Sequence, residues 1–138
     1  MRPAPLILDT GGWLFALAGH TGYAQALRKA RPAIVPGLVL AEVDWHLRKR
    51  RSDMGRLMKE LAAGAYVYEP PTSADLVRAM QIDEKFASLG LGLVDATVAA
   101  LAERQKIYRV LTIDSDLAAV RIGRGFRQAL ELAVPLPG

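Results

Sequence analysis

Four acidic residues, Asp9, Glu42, Asp95 and Asp114, each stand at or just past what reads as a strand end. Clustered carboxylates repel one another, so at least one resists ionisation unless a cation is present. Oxygen donors without sulfur or imidazole among them select a hard ion, Mg2+ or Mn2+. Mg2+ keeps several waters and is usually completed by substrate phosphate oxygens. Such a site can activate water for attack on a phosphodiester and stabilise the leaving oxygen. The chemistry these residue types imply is metal-dependent phosphodiester hydrolysis. Taken singly, Asp9, Asp95 or Asp114 reads as a helix N-cap, a common place for an aspartate. Taken together, the four acids favour a site.

The elements that must position them can be read in order. Leu6-Ile7-Leu8, entered from Pro5, is a short apolar run without alternation, the pattern of a parallel strand buried on both faces. Arg109 to Ile113 has the same shape, so two strands deliver Asp9 and Asp114 to one edge. In open α/β sheets ligands gather beyond the carboxyl ends of the strands. A short apolar helix is expected over Gly12 to Leu17, a second over Gly22 to Ala30, and a strand at Ala33-Ile34-Val35.

The helix expected next, Leu38 to Arg51, carries Leu40, Val43 and Leu47 as its core face. Glu42 lies in its second turn. His46 shares that face and reads as exposed or as pairing with Glu42. Asp44 points elsewhere, and Trp45 reads as covering core rather than stacking on a base. Arg48-Lys49-Arg50-Arg51 closes the helix and reads equally as a solvated end or a nucleic-acid contact.

A helix over Met54 to Ala63 and an edge strand over Ala65 to Glu69 follow. Thr72-Ser73-Ala74-Asp75 fits a capping box opening a helix through Leu89, with Leu76, Val77, Met80 and Phe86 as its core face. Gly90 to Val94 reads as a loop into a buried helix, Asp95 to Arg104. A short helical turn over Leu117 to Val120, a basic segment from Arg121 to Arg127 and a strand over Ala129 to Val134 complete the chain. Strands and helices alternate throughout, which gives an α/β class with a mostly parallel sheet and helices on both faces.

Composition narrows the function classes. A chain of 138 residues is expected to form one domain, residues 1–138, and its 51% hydrophobic content excludes disorder. With no cysteine and two histidines, thiol nucleophiles, thiolate zinc sites and multi-histidine metal sites are excluded. Neither a signal peptide nor an apolar run near the ~20 residues of a membrane span is visible, so a cytoplasmic protein with no membrane partner is expected. The net charge of +4 supports a polyanionic substrate only weakly by itself.

Leu-Ile-Leu-Asp-Thr at residues 6–10, Leu-Ala-Glu-Val at 40–43, the run from Leu91 to Arg104 and Val-Leu-Thr-Ile-Asp at 110–114 together resemble a PIN-domain ribonuclease. The likeness is greatest to the VapC toxins of bacterial toxin–antitoxin pairs, covers essentially the whole chain and is most specific in residues 91–104. It implies a three-layer α/β/α fold with about five strands. It also implies a Mg2+- or Mn2+-dependent endoribonuclease acting on RNA, a homodimer, and inhibition by a small VapB-type antitoxin. By motif position Asp9, Glu42, Asp95 and Asp114 become the catalytic and metal-binding acids. Asp116 stands where many members carry a further acid, and Thr10 and Thr112 where hydroxyls support the ligands. Gly11 departs from the family's frequent serine, and Leu117 from its frequent aromatic. An antitoxin helix is expected to lie between the helix of residues 12–17 and that of residues 38–47.

Rival readings remain at this level. A housekeeping RNA-processing nuclease would share every motif. A non-catalytic binding module has no use for so much negative charge facing phosphate. Asp9-Thr10-Gly11 also matches a retroviral-type aspartic protease, but that fold is almost all β and leaves Glu42 and Asp95 without a role.

Overall fold

The computed structural model describes residues 4–137. Five strands form the central sheet: β1 (Leu6–Leu8), β2 (Ala33–Pro36), β3 (Val67–Glu69), β4 (Arg109–Leu111) and β7 (Glu131–Leu132). Their spatial order is β3-β2-β1-β4-β7, and every neighbouring pair is parallel. Successive strand residues point to opposite faces, yet Leu6, Ile7 and Leu8 are all fully buried. Both faces of the sheet are therefore covered, as the unbroken apolar run requires.

The helices are α1 (Thr10–Leu17), α2 (Thr21–Lys29), α3 (Gly37–His46), α4 (Arg51–Ala62), α5 (Ser73–Lys85), α6 (Gly92–Gln105) and the single turn α7 (Ser115–Ala118). From β1 the chain winds outward through β2 to β3, then returns through α5 and α6 to β4 on the other side. The strand order reverses between β1 and β4, which makes their carboxyl ends the place where a ligand crevice opens. This parallel, helix-rich architecture excludes the all-β protease reading of Asp9-Thr10-Gly11.

Several sequence expectations need correction. The helix carrying Glu42 ends at His46, not Arg51, and the basic run forms the turn into α4. Arg51 reaches back to Asp44 at 2.8 Å and Arg50 forward to Asp53 at 2.9 Å, so two of the four cations fasten the turn. Trp45 does not cover core: it is 61% exposed. The capping box on α5 forms as expected, with Thr72 and Asp75 bonding reciprocally. The buried face of α5, however, is Asp75, Ala79 and Ile82, while Leu76, Val77 and Met80 are exposed.

The reason lies in α6. Its side chains against α5 are small, and its C-terminal charges pair across the contact: Arg104 Nε donates to Asp75 at 2.9 Å and Arg78 Nε to Glu103 at 2.8 Å. The final strand also divides. Residues 128–129 form β6, antiparallel to β5 (Arg121–Ile122), and only residues 131–132 join the central sheet. Among the described residues no helix is long and apolar enough to cross a membrane.

Candidate active site

Asp9 follows β1 directly and occupies the N-cap position of α1, but its side chain makes no cap bond. Instead Oδ2 accepts a hydrogen bond from Thr112 Oγ1 at 2.7 Å, and the Thr112 oxygen in turn accepts the Asp114 N–H at 3.0 Å. One hydroxyl thus ties together the ends of β1 and β4. The other oxygen, Oδ1, is buried without a hydrogen-bond partner. A buried, unpartnered carboxylate oxygen is costly unless something positive faces it. Burial pushes the Asp9 pKa up to about 6, against the opposing Thr112 bond, with the charges of Asp114 and Glu42 adding to the rise.

Glu42 comes from α3, where Oε1 accepts the Thr10 hydroxyl at 2.6 Å. Asp95 lies inside the first turn of α6, because that helix begins at Gly92 rather than at Asp95 itself. Val94 and Leu93 are helical, and the cap reading of Asp95 does not hold. Its pKa is pushed up to about 8, first by burial, then by the charge of Asp9, with Asp114 and Glu42 also contributing. Asp114 does cap a helix: its Oδ1 accepts the Asp116 N–H at 2.8 Å at the start of α7.

Asp9, Glu42, Asp95 and Asp114 line one cavity of about 410 Å³, walled on its apolar side by Leu14, Phe15 and Ile113. Four elements separated in sequence therefore deliver their acids to one place. Asp116 is exposed and does not line the cavity, though its backbone orders Asp114. His46 does line it, one turn beyond Glu42; the shared helical face was the available signal. At Gly11 an added Cβ would lie 2.5 Å from Ile113 Cγ1, so the wall fills the space a serine would take. Arg48, Lys49 and Arg50, on the exposed turn after α3, and Arg51, the first residue of α4, lie outside the cavity.

The donor chemistry suits a hard divalent ion, and the unpartnered Asp9 oxygen supplies a position for one. Among the described residues no three acidic or imidazole groups already converge as a closed coordination shell. Mg2+ does not require one, since one or two carboxylates with water and substrate oxygens suffice.

The chain has known relatives in sequence and fold. The chain is 28% identical over 116 residues to Ribonuclease VapC26 of Mycobacterium tuberculosis, a match covering 79% of this chain and 86% of the relative. Its fold is similar to that of M. tuberculosis VapC20, described as a sarcin–ricin loop cleaving toxin, with a TM-score of 0.67 at 21% identity over 83% of this chain and 93% of that one. A toxin–antitoxin complex from Klebsiella pneumoniae aligns equally well, TM-score 0.67 at 19% identity, covering 83% and 91% of the two chains. The model of the PIN domain matches residues 6–123, a span that opens on β1 and contains all four converging acids, and the chain belongs to the PIN domain family.

Proposed function

We propose that the chain is a Mg2+- or Mn2+-dependent endoribonuclease that hydrolyses RNA phosphodiester bonds, and that it is the cytoplasmic toxin of a type II toxin–antitoxin pair. The observation that carries the reading is the convergence of Asp9, Glu42, Asp95 and Asp114 on one cavity around an unpartnered buried oxygen. A ribonuclease relative and the toxin structures that share the fold support it. Asp9 and Asp95 would hold the ion, with Glu42 and Asp114 beside them. Such an ion acts as a Lewis acid on the phosphoryl oxygen and lowers the pKa of water. Thr10 and Thr112 fix the Glu42 and Asp9 carboxylates, so little reorganisation is left for the moment of reaction. The wall of Leu14, Phe15 and Ile113 limits water on one side and strengthens charge interactions within.

Purified protein is expected to cut RNA in Mg2+ or Mn2+ and to stop in EDTA. Cleavage that persists in EDTA would sink the metal mechanism. Expression alone is expected to arrest bacterial growth, and Asp95→Ala to relieve the arrest at equal soluble yield. Robust growth with abundant intact protein would point to housekeeping RNA processing instead.

The proposed inhibitor is a VapB-type antitoxin. A cavity of about 310 Å³ between α1 and α4, with Leu14, Leu17, Leu47 and Leu57 in its lining, suits the apolar side chains of a partner helix. Leu14 belongs to both cavities, so an arginine beyond that helix could reach the carboxylates, where its planar fork matches a carboxylate pair. A homodimer is proposed as well, with the exposed Leu76, Val77 and Met80 of α5 as a surface to cover.

The basic turn divides into two pairs. Arg50 and Arg51 are engaged with Asp53 and Asp44, whereas Arg48 and Lys49 have no carboxylate partner among the described residues. Replacing Arg48 and Lys49 with alanine is expected to weaken RNA binding and to reduce the slope of log affinity against log salt by about 1 to 2. The paired Arg50 and Arg51 should contribute less. Filter binding across a salt series checks this, and equal slopes for wild type and variant would leave the turn a solvated connection.

A further inference from the structure

We propose that the exposed indole of Trp45, backed by the Arg48 guanidinium, is a stacking platform for an unpaired RNA base beside the bond that is cut. The inference rests on the endoribonuclease reading. The two tryptophans of the chain are used in opposite ways. Trp13 on α1 is 1% exposed, and Trp45 on α3 is 61% exposed. An indole left in water forgoes a large hydrophobic gain, and such side chains are enriched where a partner will cover them.

The surroundings of Trp45 indicate which partner. Arg48 Cζ lies 3.8 Å from the ring centroid, and Arg48 Nη1 donates to the Trp45 carbonyl at 2.9 Å, so the cation is fastened against the ring. Arg48 and its neighbour Lys49 have no carboxylate partner among the described residues. An aromatic face bearing uncompensated positive charge suits a planar base joined to a phosphate, the combination used to hold single-stranded nucleic acid. The apolar face of a protein helix would leave those cations unpaired.

Position fixes which nucleotide. Trp45 is three residues beyond Glu42, a spacing that puts Cβ atoms about 5–6 Å apart on a helix surface. The next residue, His46, lines the carboxylate cavity. Trp45 itself lies outside that cavity, so a base on this platform belongs to a nucleotide flanking the cut rather than to the scissile one. Stacking requires the base to be unpaired, so the platform selects loops and single strands over duplex while tolerating any base.

Both tryptophans emit, but Trp13 is buried out of a ligand's reach, so a change in emission on adding RNA reports chiefly on Trp45. In EDTA, a short single-stranded RNA is expected to quench that emission. The same strand with abasic sites, carrying the same phosphates, should quench it less than a third as much. In Mg2+, Trp45→Ala is expected to raise KM for a loop-containing RNA about ten-fold or more, with Trp45→Phe recovering most of the loss. Circular dichroism melts confirm that each variant folds. If Trp45→Ala is not folded, the quench comparison and the phenylalanine variant decide. Equal quenching by abasic RNA, or an unchanged KM in Trp45→Ala, overturns the platform and leaves the nuclease reading standing. Quenching by a protein partner but not by RNA also overturns it. Wild-type protein that never cleaves RNA overturns the nuclease reading, a result distinct from the quench.

Discussion

Asp9→Asn is expected to abolish RNA cleavage, by about 10³-fold or more, while making the metal-free protein more stable at pH 8. The activity loss follows from removing a carboxylate whose free oxygen faces the cavity, since ion-assisted charge stabilisation is worth several kcal/mol. The stability gain follows from the raised pKa. Asp9 moves from 3.8 to about 6 on folding, chiefly through burial. The folded state therefore binds the proton more tightly than the unfolded one. The stability this group contributes is fully present below about pH 4 and is lost as pH rises through about 6. The size of the loss is on the order of 3 kcal/mol for a shift of this extent. Asparagine keeps an oxygen to accept the Thr112 hydroxyl and carries no charge to desolvate.

Asp95, pushed up to about 8, extends the same trend, so the cost of the cluster should keep growing as pH rises through 8. Asp75 and Glu103 work the other way: their arginine partners hold their pKa values below the ordinary range, and that stability is lost as pH falls. Only the difference between wild type and Asp9→Asn isolates the site. Urea titrations in EDTA should show the two proteins separated by only about 1 kcal/mol at pH 4.5 and by about 3 kcal/mol at pH 8. Added Mg2+ should stabilise wild type more at pH 8 than at pH 5, because binding needs deprotonated carboxylates. A difference that does not vary with pH would mean that Asp9 is not held protonated by its surroundings.

The parts legible in the sequence were those that local rules decide. Leu6-Ile7-Leu8 before Asp9 and Val110-Leu111 before Thr112 announce strands buried on both faces, and both belong to the parallel sheet. The Thr72–Asp75 capping box is complete within four residues and formed as expected. What escaped depended on residues distant in sequence. The apolar spacing of Leu76, Val77 and Met80 looked like a core face, but Arg104 and Glu103 of α6 fix α5 by its charges, burying Asp75 instead. Trp45, three residues after Glu42, reads from the sequence as covering core, and nothing near it in sequence shows that the fold leaves it exposed. For the site, the residue types and their order could nominate the four acids. That they share one cavity depends on β1 and β4 being sheet neighbours, which is a property of the fold.

The same substitution, glycine to alanine in a helix, is expected to have opposite signs at two positions. In a helix interior glycine is ordinarily worse than alanine by about 1 kcal/mol, because it loses more backbone freedom on folding. Gly55, in α4, has no atom within 4 Å of where a Cβ would stand. Gly55→Ala should therefore raise stability by about 1 kcal/mol, or roughly 3 to 5 °C in Tm. Gly12, in α1, is different. A Cβ there would run into the Leu111 carbonyl and lie 2.7 Å from the Thr112 nitrogen, both backbone of the chain leaving β4. Those atoms cannot swing aside as a flexible side chain would. The same Leu111 carbonyl accepts the Asp9 N–H at 2.9 Å, so the contact that excludes a side chain also sets the start of α1 against β4. To admit the methyl group, α1 must lift from the sheet. Overpacking of this kind costs about 1 to 3 kcal/mol, occasionally more. It also loosens the place where Asp9 and Thr112 meet. Gly12→Ala should then lower Tm by roughly 5 to 10 °C. RNA cleavage should fall with it even well below the melting transition, since a misplacement of about 1 Å can cost about 10²-fold in rate. Gly55→Ala should leave cleavage as it was. Thermal melts and initial rates of both variants, side by side, make the comparison. If Gly12→Ala matches Gly55→Ala in stability, α1 does not rest on the β4 backbone as the structure has it.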